Sequence, residues 1–138
     1  VAPAIDRMRE PIDVLYQAWM QKDPGLYLRQ FDSGVVQTGR LKNGGAYTRG
    51  YEEIAQRRRV DFARLDHVDV LKYEVMYQGS DDRQATFGVR YSMDFYWRDG
   101  SVTRERNISE CYRVRPRPDG SRWAIVRNDD YQQRICYQ

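Results

Sequence analysis

The sequence predicts an α+β fold, with N-terminal helices packed into one face of a curved, four-stranded, mostly antiparallel sheet. Three observations carry this prediction. Apolar residues recur at helical spacing only before Ala63, strict alternation runs through residues 84–97, and two Asp-Gly turns punctuate the second half.

Taken in order, Ile12, Leu15, Tyr16, Trp19 and Met20 form one apolar stripe. Pro11 suits the first turn of that helix, where its missing N–H is not needed, and Ile5 and Met8 form a preceding turn kinked there. Asp23 caps a second helix with Pro24 at its first position and a stripe of Tyr27, Leu28 and Phe31. Residues 34–50 are Gly-rich and read as irregular. A third helix, 48–63, buries Tyr51, Ile54, Ala55 and Phe62, and Arg58 shares that face while Arg57 and Arg59 turn to solvent.

The strands follow. Residues 68–77 are β-branched and aromatic, with a slip between Val70 and Leu71 that predicts a bulge. Ala85, Phe87, Val89, Tyr91, Met93, Phe95 and Trp97 then mark the core face of a long strand. Asp99-Gly100 predicts a two-residue hairpin turn into a strand over 102–114, and Asp119-Gly120 a turn into a last strand from Arg122 to about Gln133. The chain is expected to be a single domain over 1–138.

Composition narrows the function. The 138 residues carry 23 Lys and Arg against 20 Asp and Glu, a net charge of +3. Interleaved charges argue against a nucleic-acid reader, which presents a one-signed patch. No apolar run approaches the roughly 20 residues of a membrane-spanning helix, so no membrane insertion is expected. One His and two distant Cys leave no His-rich or Cys-rich metal site, and neither metal nor cofactor is expected. His67, beside Asp66 and Asp69 at a strand start, reads as a solvated loop residue.

The two Asp-Gly turns imply a register. With Arg98 opposite Ser101, Phe95 faces Arg104, Met93 faces Arg106, Tyr91 faces Ile108, Val89 faces Glu110 and Phe87 faces Tyr112. With Pro118 opposite Ser121, Val114 faces Ile125, Tyr112 faces Arg127, Glu110 faces Asp129 and Ile108 faces Tyr131. The concave face is then apolar at one end, while the other gathers Arg104, Arg106, Glu110, Arg127 and Asp129 among Tyr91, Tyr112 and Tyr131. Buried charges must be paired or wet, so this region is either a salt-bridge network closing the mouth or an open binding pocket. A slip of one residue would reverse every one of these assignments. On the same register Cys111 faces outward near Asn128, and Cys136 lies eight residues further, about 26 Å along an extended strand. An internal disulfide is therefore not expected unless the tail folds back.

Tyr16-Gln17-Ala18-Trp19-Met20-Gln21-Lys22-Asp23, Tyr27-Leu28, Phe31, Arg49-Gly50-Tyr51-Glu52-Glu53-Ile54, Asp99-Gly100 and the run from Asp119 to Val126 together resemble the nuclear transport factor 2-like, cystatin-like superfamily. That resemblance spans nearly the whole chain and implies a cone-shaped fold. Ala18-Trp19, Asp23, Tyr27-Leu28, Phe31, Arg49, Arg57-Arg58-Arg59 and Trp123-Ala124-Ile125-Val126 also resemble an accessory domain of bacterial envelope proteins, such as some L,D-transpeptidases. This narrower likeness implies an exported, periplasmic protein. A start at Val1-Ala2-Pro3 without Met fits either a removed secretory signal or a domain from a longer chain. Ketosteroid isomerase, in the same superfamily, implies a helix-one Tyr, met by Tyr16, and a strand acid, met by Glu110. Its shuttling base would fall at Val35-Val36-Gln37-Thr38, where no carboxylate stands.

The expectation is therefore a non-catalytic binding or assembly domain of the bacterial envelope. Its conical pocket would use Tyr16, Arg58, Tyr91, Arg106, Glu110, Arg127, Asp129 and Tyr131, with the arginines holding an acidic sugar or muropeptide-like ligand. The alternative is an isomerase, dehydratase or cyclase using Glu110 as acid or base and Tyr16 as donor. The outer sheet face leaves room for a homodimer.

Overall fold

The computed structural model describes residues 2–41, 43–81, 83–130 and 136. Helix α1 (Ala2–Gln21) lays Met8, Ile12, Leu15 and Tyr16 against the sheet. Pro11 lies inside this helix rather than in its first turn. The buried stripe runs back through Met8, so packing of that turn offsets the hydrogen bond that Pro11 cannot donate. Met20 points away and is half exposed, whereas Ala18 is fully buried. Asp23 caps α2 (Pro24–Leu28) as expected, its Oδ1 accepting from Leu26 N at 2.9 Å.

The sheet has six strands, not four, in the order β2-β1-β6-β5-β4-β3. The two additional strands, β1 (Phe31–Arg40) and β2 (Ala46–Arg49), occupy the Gly-rich stretch. The glycines conceal their alternation. One of them has a packing reason: a Cβ on Gly39 would come within 2.6 Å of the hydroxyl and two ring carbons of Tyr47, its cross-strand partner. β1 runs parallel to β6 (Trp123–Asp130), and every other pairing is antiparallel. α3 (Tyr51–Arg64) buries Ile54, Ala55 and Phe62. β3 (Leu65–Ser80), β4 (Ala85–Trp97) and β5 (Val102–Pro116) complete the sheet, and the predicted irregularity in β3 lies between Val70 and Lys72.

Three irregularities decide which side chains face inward. In the first hairpin Trp97 N donates to Ser101 O and Gly100 has φ +89°, so the loop is Arg98-Asp99-Gly100, three residues rather than two. That moves the register by one: Phe95 pairs with Thr103 and Met93 with Glu105. A bulge at Arg106-Asn107, with Asn107 at φ +51°, then restores it, and Tyr91–Ile108, Val89–Glu110 and Phe87–Tyr112 pair as predicted. In the second hairpin Val114 pairs with Ile125 as predicted, but a bulge before Arg127 puts Asn128 opposite Tyr112 and Asp130 opposite Glu110.

The cysteines correct the sequence reading. Cys111 and Cys136 form a disulfide across 25 residues, with Cα atoms 5.6 Å apart. Cys111 is on the outer face, as predicted, and Cys136 meets it there. Cys136 N donates to Gln78 Oε1 at 2.9 Å. Gly88 is the cross-strand partner of Cys111; a Cβ there would come within 2.8 Å of Gln78 Nε2, with Cys136 Sγ at an ordinary contact distance of 3.6 Å.

Candidate functional site

A cavity of about 570 Å³ opens between the helices and the concave sheet face. Its floor is set by parity on β5: the bulge at Asn107 lets Glu105, Ile108, Glu110 and Tyr112 all face inward. α1 supplies Tyr16 and Trp19, α2 Tyr27, α3 Arg58 and Asp61, and β6 Asn128 and Asp130.

Glu110 is the centre of the polar end. Tyr16 Oη donates to Glu110 Oε2 at 3.0 Å, Tyr112 Oη donates to the same oxygen at 3.2 Å, and the two hydroxyls are 3.1 Å apart. No ion pair to Glu110 is formed among the described residues. Burial first, and the nearby Asp130 and Glu105 carboxylates after it, push its pKa up to about 7, although both phenols favour its charged form. Tyr16 and Tyr112 are themselves pushed well up, chiefly by burial, so both remain protonated donors.

A second carboxyl faces the same space. Tyr91 Oη donates to Glu105 Oε1 at 3.1 Å, and burial raises Glu105 above the ordinary carboxylate range. Burial also raises Asp130, at the exposed mouth. On the opposite wall, the Arg58 guanidinium carbon lies 4.9 Å from the Trp19 ring centroid and 5.7 Å from that of Tyr27, with Asp61 at 3.3 Å. The apolar end is an aromatic wall in which Trp19 packs edge-on against Phe62 and Phe95.

Of the residues predicted from sequence, Tyr16, Arg58, Tyr91 and Glu110 line the cavity. Three others do not serve it as predicted. Arg106 borders the cavity, but its Nη1 is 2.7 Å from Asp94 Oδ1 on the outer side of the sheet. Arg127 and Asp129 lie on the outer face, where Arg127 Nε contacts Asp129 Oδ2 at 2.8 Å and Thr38 also donates to Asp129. Arg104 is likewise turned outward, opposite Asp94. The cause is the same in each case, a one-residue change of register. Tyr131 lies outside the described residues. Sequence reasoning missed Glu105, Asn128 and Asp130, which are sequence neighbours of Arg106, Arg127 and Asp129. His67 is exposed, as expected, but it lies within β3 rather than in a loop, with Nδ1 2.6 Å from Asp66 Oδ2 and its ring stacked on Tyr96. Among the described residues no three His, Cys, Asp or Glu side chains converge closely enough to hold a metal ion.

With the helices folded over the concave side of a single curved sheet, comparison with solved structures places the architecture. This is the nuclear transport factor 2-like cone. A ketosteroid isomerase-like protein from Erwinia carotovora superposes with a TM-score of 0.70 at 18% identity, over 90% of this chain and 92% of that one. A proposed dehydratase of the nuclear transport factor 2-like family from Streptomyces avermitilis gives 0.72 at 12% identity, over 93% and 94%. A protein of unknown function with a cystatin-like fold from Nostoc punctiforme gives 0.67 at 18%, over 94% and 90%. At these identities the likeness establishes the fold and no activity. No family model and no curated protein sequence matches the chain.

Proposed function

We propose that the cavity catalyses proton transfer on a small carbonyl compound, as an isomerase, dehydratase or cyclase. The observation that carries this reading is Glu110: a carboxyl enclosed in a cavity, held by two phenols, with a pKa pushed up to about 7. Glu110 in its protonated form donates to the substrate oxygen while Tyr16 and Tyr112 hold Oε2. Glu105, steadied by Tyr91, removes a proton from the carbon next to the carbonyl; the C–H electrons form the enolate, whose oxygen Glu110 stabilises. The proton returns from Glu105 to another carbon of the same molecule, and both carboxyls end as they began.

The test is deuterium exchange from heavy water into tetralone-sized and decalone-sized ketones, followed by NMR. Exchange above the buffer rate is expected, falling about 100-fold or more in Glu110→Gln and in Glu105→Gln. A wild-type protein that leaves every ketone unexchanged overturns the reading.

A second reading, an exported binding domain of the cell envelope, is favoured by the Cys111–Cys136 disulfide, since disulfides persist in oxidising compartments. Its likeness to transpeptidase-associated domains rests on the sequence pattern. An acidic ligand no longer suits it, because Arg106 and Arg127 are engaged outside the cavity. Soaking with a neutral muropeptide fragment tests it: occupancy of the cavity is expected, and an empty cavity rejects it.

A further inference from the structure

The charge of the cavity is lopsided. Four acids face it, Asp61, Glu105, Glu110 and Asp130, against Arg58 and Arg106, whose charges Asp61 and Asp94 already offset. Three of the acids surround one aromatic side chain: Tyr91 donates to Glu105, and its hydroxyl is close enough to Glu110 and Asp130 to feel both charges. Carboxyls crowded in this way repel one another, and a cation among them removes that repulsion. They do not converge as the ligands of a single metal ion would.

A second, independent observation concerns the uncharged groups. Asn128 Nδ2 donates to Cys111 O at 3.3 Å, which turns its Oδ1 toward Gln37. Gln37 must therefore present Nε2, and does so at 2.9 Å. Its Oε1, on a side chain of a residue only 8% exposed, is left as an acceptor without a donor among the described residues. The hydroxyl of Tyr27, a residue 4% exposed on the same cavity wall, also has no hydrogen-bond partner among the described residues. Both groups line the cavity, where the unpaired Gln37 oxygen accepts from a ligand N–H and the Tyr27 hydroxyl can accept from another.

We infer that the cavity takes a ligand carrying a protonated amine on an aromatic or polycyclic body, its cation held among Glu105, Asp130 and the Tyr91 ring. The body fills the wall formed by Trp19, Phe95 and Trp97. This deepens the proton-transfer reading and rests on it for the carbonyl. The amine anchors the molecule near Glu105, and its positive charge keeps that carboxyl ionised as a base.

The experiment is calorimetric titration with three probes of one shape: tryptamine (cation), tryptophol (neutral) and indole-3-acetate (anion). Tryptamine is expected to bind at least 10-fold more tightly than tryptophol and at least 100-fold more tightly than indole-3-acetate. Glu105→Gln and Asp130→Asn should each shrink the tryptamine preference at least 5-fold, with melting temperatures recorded to confirm folding. Tryptophol or indole-3-acetate binding as well as tryptamine overturns the inference. So does the absence of tryptamine binding at millimolar concentration, or a preference that survives in the double variant. Binding is read without turnover, so the outcomes separate. Ketone exchange without an amine preference sinks only this inference, and an amine preference without exchange sinks only the reaction.

Discussion

The Tyr16 hydroxyl donates to Glu110 Oε2 at 3.0 Å, joining the first helix to the fifth strand across 94 residues of chain. This bond favours the ionised carboxylate and so works against the burial that raises its pKa. Tyr16→Phe should move the Glu110 pKa further up from about 7. In the exchange assay, activity requires protonated Glu110 and ionised Glu105, giving a bell-shaped profile whose alkaline limb falls near pH 7. The phenylalanine variant should shift that limb to higher pH, and an unmoved limb assigns it to another group.

Glu110 also couples stability to pH. Its folded pKa lies above its unfolded value of 4.5, so its contribution is fully present below pH 4.5 and is lost as pH rises through about 7. The loss is on the order of 3 kcal/mol when the whole shift is counted. Glu105 and Asp130, also raised, act in the same direction. Urea midpoints measured from pH 5 to pH 8 should fall for the natural chain and fall distinctly less for Glu110→Gln.

The bulge at Asn107 orients Glu105, and it depends on a left-handed backbone. Asn107 has φ +51°, and its N–H donates to Ser92 Oγ at 3.0 Å. Asn107→Gly should retain stability and exchange activity, whereas Asn107→Val should lose about 1–2 kcal/mol by strain at that φ. If the valine variant matches the natural chain in a urea melt, the bulge is not held by this residue.

The disulfide joins two cysteines 25 residues apart, closing a loop that contains the β5–β6 hairpin. Chain-entropy arguments give it about 3 kcal/mol. A Cys111→Ser, Cys136→Ser double variant should show a correspondingly lower urea midpoint, and dithiothreitol should lower that of the natural chain alike. Intact-mass analysis after alkylation without reductant should find neither thiol labelled.

Much of this fold was legible because local patterns report it directly. The stripe through Ile12, Leu15, Tyr16 and Trp19, the cap at Asp23, the face shared by Ile54, Arg58 and Phe62, and the alternation through Phe95 each follow from a single element's geometry. β1 was not legible, because its glycines hide the alternation and its partner β6 comes from the far end of the chain. The disulfide left no local signal of this kind: Gly88, a glycine inside a well-alternating strand, makes room for Gln78, and Cys136 Sγ would lie at ordinary contact distance from a Cβ there.

The abundance of arginine and acid along β5 and β6, the tyrosines of the core face, and the pairing of Val89 with Glu110 were properties of the sequence, since hydrophobic alternation and Asp-Gly turns constrain them locally. Tertiary structure alone decided whether arginines or carboxylates enter the cavity. Strand side chains alternate with a period of two, so one extra loop residue before Ser101, a bulge at Asn107 and another before Arg127 were enough to choose. They turned Arg104, Arg106 and Arg127 away from the cavity's interior and gave it Glu105, Asn128 and Asp130.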